Sequence, residues 1–69
     1  MAAKKLIKFY MQRQNVTQKK IAKCFAISER TWRYWMDEPG ERLTAYRLQV
    51  LERVLRLSKE ELRQIVREV

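Results

Sequence analysis

Arg30 and Arg33 stand three residues apart in the stretch QKKIAKCFAISERTWRYWMD, residues 18–37, with Glu29, Thr31 and Tyr34 around them. A guanidinium is a planar fork of donors. It meets two acceptors at once on a carboxylate, on a phosphate, or on the O6 and N7 edge of guanine. Glu29 suits the N4 amine of cytosine, or stabilises a helix start through its charge. Lys19, Lys20 and Lys23 add three ammonium groups of the kind that meets phosphates or is simply solvated. Tyr34 offers a hydroxyl for a phosphate and a ring for a thymine methyl. This is chemistry of recognition. The chain has no His, no Gly-rich loop and no paired carboxylates in an apolar setting, so the expectation is a binding protein and not an enzyme, with no cofactor.

Phe25, Trp32 and Trp35 lie among these charges in sequence, and a helical wheel separates them in space. At about 100° per residue, Trp32, Trp35 and Met36 share roughly 100° of arc. Arg30, Arg33 and Tyr34 share a similar arc on the far side, with Glu29 and Thr31 flanking. A stacking platform for single strands needs aromatics facing outward with the basic groups, and only Tyr34 does so. Trp32 and Trp35 are therefore expected in the core.

The helix that carries these residues needs others to position it. Thr17 is a suitable N-cap for a helix over about Gln18 to Phe25, with Ile21, Ala22 and Phe25 on one face. Ala26-Ile27 forms a tight turn, and Ser28 caps the next helix, Glu29 to about Met36. Before them, Ala3 to Gln14 reads as a helix with Leu6, Ile7, Phe9, Tyr10 and Met11 on a broad inner arc and Lys4, Lys8 and Gln12 opposite. The only Pro and only Gly are adjacent in DEPG, residues 37–40, and read as a connection. Beyond it Thr44 caps a fourth helix to about Leu57, with Leu48, Leu51 and Leu55 inward. Ser58 and Glu61 form a capping box that opens a fifth, with Leu62, Ile65, Val66 and Val69 as its stripe. No alternating β-branched run occurs, so the fold class is all-α.

Sixty-nine residues make one domain, 1–69, near the lower size at which a core holds without disulfides or metal. The single Cys24 fits an intracellular protein and reads as a small buried hydrophobe; with no His there is no zinc ligand set. The start MAAKKLIKFYM has no sustained apolar run and is not read as a secretory signal, and no stretch has transmembrane length, so no membrane partner is expected. The net charge is +8. Residues 1–36 hold nine Lys or Arg against one acid, and residues 37–69 hold seven of each, so the whole excess lies in the first part. Such a half suggests a polyanion, most often nucleic acid, with a merely solvated basic face as the bland alternative.

A short helix, a tight turn and a second short helix with an exposed basic face are the parts of a helix-turn-helix. TQKKIAKCFAISERTWRYW, residues 17–35, resembles the motif of the lambda-repressor and Cro class of regulators. The rest matches that class only as an all-helical domain of suitable length. The resemblance implies a compact five-helix domain that binds double-stranded DNA with its third helix in the major groove. It further implies a sequence-specific transcriptional regulator of phage or mobile-element style, a homodimer at least on DNA, in the cytoplasm of a bacterial or phage-infected cell. The implied contact set is Gln18, Lys19, Lys20, Lys23, Ser28, Glu29, Arg30, Thr31, Arg33 and Tyr34. Gln18 matches the family's glutamine that binds a phosphate and braces the recognition helix. Ala26 stands where the family usually has Gly at positive φ, and Trp32 where Val or Ile is usual. The pattern also occurs in transposases and small terminase subunits, so a DNA-recognition module of such a machine is a rival; a chain of 69 residues starting at Met weighs against a part of something longer. An antitoxin or adaptor module that meets an acidic protein is another. Val50, Val54, Leu57, Val66 and Val69 lie beyond one inner stripe and are the expected dimer surface.

Overall fold

The computed structural model describes residues 2–69, and every regular element within them is an α-helix. These are α1 (Ala2–Arg13), α2 (Gln18–Cys24), α3 (Glu29–Asp37), α4 (Pro39–Arg42), α5 (Ala45–Val54) and α6 (Lys59–Glu68). Six helices replace the five expected, because DEPG forms the single turn α4 and is not a bare connection. Pro39 begins that turn, where its missing N–H costs nothing and its fixed φ suits a helix. α5 ends at Val54, three residues before the expected stop at Leu57.

The same corner closes three of the helices. Asn15, Ala26 and Arg56 follow α1, α2 and α5 with φ of 57°, 57° and 52°. The next residue in each case is aliphatic and donates its N–H back into the finished helix: Val16 to Met11 O at 2.8 Å, Ile27 to Ala22 O at 3.0 Å, Leu57 to Glu52 O at 2.9 Å. This is the Schellman arrangement, which satisfies carbonyls a helix end leaves open. The residue after that is Thr17, Ser28 or Ser58, and its hydroxyl accepts from the third N–H of the following helix. Each corner therefore caps one helix, drives an aliphatic side chain inward and starts the next helix within three residues. Ala26 confirms the positive φ expected of the α2–α3 turn.

The core draws on every helix but α4, which adds only its C-cap Leu43. Ile7, Tyr10 and Met11 from α1 meet Ile21 and Ala22 from α2, Trp32, Trp35 and Met36 from α3, and Leu51, Leu55 and Ile65 from the C-terminal part. α1 packs on α6, and α2 on α3. The pairing of the two ends is held at the surface by Arg13, whose guanidinium donates two hydrogen bonds to the Glu61 carboxylate, one of them from Nη2 at 3.1 Å.

Four expectations about burial are corrected, the first being Phe9, expected on the inner arc of α1 but 57% exposed. Cys24 is exposed, because it lies about 110° from the centre of the arc that Ile21, Ala22 and Phe25 turn inward. Leu57 is buried at the α5–α6 corner and belongs to the core, so it is not available as a dimer surface. Val66 and Val69 lie outside the α6 stripe, 49% and 43% exposed, while Ile65 is fully buried.

Two outcomes follow from this packing. Ala26→Gly removes the Cβ from a left-handed position and should stabilise the fold by about 1 kcal/mol after the extra chain entropy is subtracted, read as a raised urea midpoint. The second concerns acid. The Glu61 carboxyl is pushed down from 4.5 to about 2, chiefly by the Arg13 hydrogen bonds and then by the Ser58 backbone N–H. A depressed folded-state value contributes stability that is complete above the unfolded value and lost as the folded value is passed. The stability gap between wild type and Glu61→Gln should therefore hold above pH 4.5 and close as the pH falls toward 2. Denaturant melts at stepped pH test this, and a gap that persists unchanged into strong acid contradicts it.

Candidate functional site

The site is the outward surface of the α2–turn–α3 unit, and each of its residues is placed by a cap or a core contact. Thr17 Oγ1 accepts from Lys20 N at 3.1 Å and starts α2, leaving Lys19, Lys20 and Lys23 exposed along it. Ser28 Oγ accepts from Thr31 N at 3.1 Å and lies 3.0 Å from Thr31 Oγ1, so these two hydroxyls are engaged with each other at the start of α3. Glu29 is exposed in the first turn.

The division expected of α3 is observed. Trp32, Trp35 and Met36 are 1%, 7% and 6% exposed, whereas Arg30, Arg33 and Tyr34 face solvent. Trp32 is accommodated by an aromatic cluster. The Phe25 ring stacks on it at 6.0 Å between centroids, and Phe25 and Trp35 meet edge to face at 5.2 Å. Such pairs add roughly 0.5–1.5 kcal/mol each beyond their area burial. Nothing in the cluster moves the arginines inward: the tryptophans hold α3 from beneath, and the cations stand on top.

Gln18 and Arg33 come together although they belong to different helices. Both line a cleft of about 470 Å³ between α1, the start of α2 and α3. Lys4 and Lys8 of α1 join its rim, and Asp37 pairs with Lys4 at 3.6 Å. Gln18 is partly buried, and its Oε1 is buried with no hydrogen-bond partner among the described residues. Gln18 thus shares the cleft with α3 and makes no side-chain hydrogen bond through its Oε1 among the described residues.

Sequence reasoning missed two further cations. Arg42 of α4 donates to the Tyr34 hydroxyl, lies 4.2 Å from that ring's centre, and pairs with Glu38 at 3.6 Å. Arg47 of α5 lies 3.8 Å over the Trp35 ring and donates to the Arg42 backbone carbonyl. Both are half-buried against α3, Arg42 on the outer Tyr34 and Arg47 on the inner Trp35. The available signal was the charge of ERLTAYR, residues 41–47, but only α4 folding back beside α3 shows that it meets Tyr34. Tyr34 is consequently a braced aromatic, with one side of its ring covered by Arg42.

Among the described residues no group of His, Cys, Asp or Glu could hold a metal ion, and no helix is long and apolar enough to cross a membrane. Compared with protein-family models, curated proteins and solved structures, the chain shows no match. The geometry defines a small all-helical protein in which α1 and α2 carry the excess positive charge and α3 presents Arg30 and Arg33 outward.

The inside–outside assignment of α3 has a direct consequence. Trp35→Ala removes core volume and should destabilise the fold by about 3–5 kcal/mol, measured by thermal unfolding followed by circular dichroism. A variant that stays fully stable and loses only ligand binding would place the tryptophans on the contact surface instead.

Proposed function

We propose that the protein binds duplex DNA sequence-specifically as a lambda-repressor- or Cro-like helix-turn-helix regulator of transcription, with α3 in the major groove. The observation that carries this reading is the division of α3: a tryptophan face anchored in the core and an opposite face bearing Arg30 and Arg33, on the half of the chain that holds the whole net charge. A helix fixed rigidly from below and presenting guanidinium forks three residues apart suits neighbouring base edges in one groove. Lys19, Lys20 and Lys23 on α2 fit phosphates, as would the side-chain amide N–H of Gln18. Arg42 beside Tyr34 supplies another cation at the far end of α3.

One short helix reads few base pairs, so the proposal includes a homodimer on DNA, with half-sites about one helical turn apart. Tyr46, Val50 and Val54, spaced four apart on α5 and exposed or half-buried, and Val66 and Val69 are the apolar residues available to it. The rival readings, a module of a packaging or transposition machine and an adaptor for an acidic protein, gain no specific observation.

The test is binding of the chain to sites selected from a random duplex pool, with sedimentation reporting the number of chains per site. If four to six phosphates are neutralised per chain, log affinity should fall with log salt at a slope of about −4 to −5. Arg33→Ala should cost roughly 1–3 kcal/mol and relax preference at one base position, and Arg33→Lys should lose the same discrimination. Lys23→Ala should weaken all sequences alike and lower the slope by about 1. A slope near zero rules out the DNA reading, and one chain on a non-palindromic site rules out the dimer.

A further inference from the structure

Tyr34 and Arg42 make a contact that the core does not require. Arg42 of α4 donates through Nη2 to the Tyr34 hydroxyl and lies 4.2 Å from the centre of its ring. Tyr34 stays exposed and is no part of the core, so this contact holds a ring at the surface. It lies on the flank of α3 away from the cleft: Tyr34 is about 100° round the helix from Arg33, which lines that cleft. A helix in a major groove runs between two phosphate backbones, the groove being about 12 Å wide. Its outer face meets base edges on the groove floor, and each flank faces one backbone.

The bond fixes which way the hydroxyl points. A phenol oxygen carries one hydrogen and accepts through its lone pairs. With Oη accepting from Arg42, its own hydrogen is turned away from the guanidinium, and it finds no acceptor among the described residues. The guanidinium is held as well. Its Nε is buried, the Tyr34 ring lies against it, and the Glu38 carboxylate stands 3.6 Å from Nη2. That pair is long and Glu38 is exposed, so it takes little of the charge. Nη1 has no acceptor among the described residues. The Tyr34 O–H and the Arg42 Nη1–H are thus two donors on two bonded side chains, one of them charged.

We propose that Tyr34 and Arg42 bind one backbone phosphate of the duplex as a unit, with Arg42 setting the direction of the Tyr34 hydroxyl. Tyr34 then grips the backbone and does not read a base, so the phosphate role of its hydroxyl is chosen over the thymine contact of its ring. A phosphate oxygen suits this pair because it accepts several hydrogen bonds and its charge strengthens each. The proposal rests on the DNA reading above.

The test uses a duplex selected from the random pool, with each phosphate of the site replaced in turn by an uncharged methylphosphonate. On the intact duplex Tyr34→Phe should bind about tenfold more weakly, the loss of one charge-assisted hydrogen bond, and Arg42→Ala about a hundredfold, the loss of both. The double variant should be no weaker than Arg42→Ala, because without Arg42 the hydroxyl is no longer aimed. One methylphosphonate position should cost the wild type about a hundredfold, Tyr34→Phe about tenfold and Arg42→Ala almost nothing. Base preference should stay the same in all three variants. The salt slope should fall by about 1 in Arg42→Ala and hold in Tyr34→Phe, which removes no charge. Tyr34→Phe keeps the ring against which Arg42 rests, and thermal melting checks that each variant is folded. Losses that add in full in the double variant, methylphosphonate positions that cost every variant the same, or a changed preference at one base would overturn the proposal. Failure of the wild type to bind any selected duplex would remove the DNA reading and this contact with it.

Discussion

Helices of seven to twelve residues do not hold themselves in water, and α1, α2, α3, α5 and α6 are all of that length. What they depend on is the three-residue corner: a left-handed residue, an aliphatic residue whose N–H returns to the helix just ended, and a hydroxyl residue that caps the next. It occurs as Asn15-Val16-Thr17, Ala26-Ile27-Ser28 and Arg56-Leu57-Ser58. Leu43-Thr44 repeats its second half, with Leu43 donating to Pro39 O at 2.9 Å and Thr44 capping α5. Each corner satisfies backbone groups at two helix ends and adds an aliphatic side chain to the core. Only one glycine is present in the chain, and the left-handed positions fall to Asn, Ala and Arg. The strain at Ala26 is offset by the hydrogen bonds and burial that the same turn provides.

The corner between α2 and α3 also determines how Arg30 and Arg33 are presented. It leaves α2 and α3 packed against each other through Ala22, Phe25 and Trp32. Phe25, Trp32 and Trp35 form an aromatic cluster beneath α3, and Arg30 and Arg33 stay exposed on its other side. Rigidity below and charge above are two results of one pattern. Arg47 over Trp35 and Arg42 over Tyr34 close the far side of this arrangement by placing guanidinium groups on ring faces, an attraction of about 0.5–1 kcal/mol where the site is exposed.

α1 serves two surfaces. One flank, with Lys4 and Lys8 beside Ile7 and Met11, makes a wall of the cleft facing α3. The other, with Lys5, Leu6 and Phe9, faces α6 and leaves Phe9 largely exposed. A single amphipathic helix thus joins the two ends of the chain while adding cations to the surface of α3.

By itself the sequence determined whatever depends on residues three or four apart. The all-helical class, the hydroxyl caps at Thr17, Ser28, Thr44 and Ser58, the Ser58–Glu61 capping box and the two faces of α3 are local matters of wheel geometry and backbone hydrogen bonding. The structure carries all of them. Sequence also misled where local pattern competes with packing. DEPG reads as a break, yet Pro39 opens a helical turn; Cys24 reads as a packing residue, yet its wheel position turns it outward; Leu57 reads as spare apolar surface, yet the Schellman bond to Glu52 folds it inward. Tertiary structure alone decided which distant residues meet. Arg13 finds Glu61 across 48 positions, and Arg42 covers Tyr34 because α4 folds back beside α3. Lys8, Gln18 and Arg33, from α1, α2 and α3, share one cleft. No spacing rule encodes such meetings. They follow from how the short helices pack around one common core, and that is set by the shapes of all the buried side chains together.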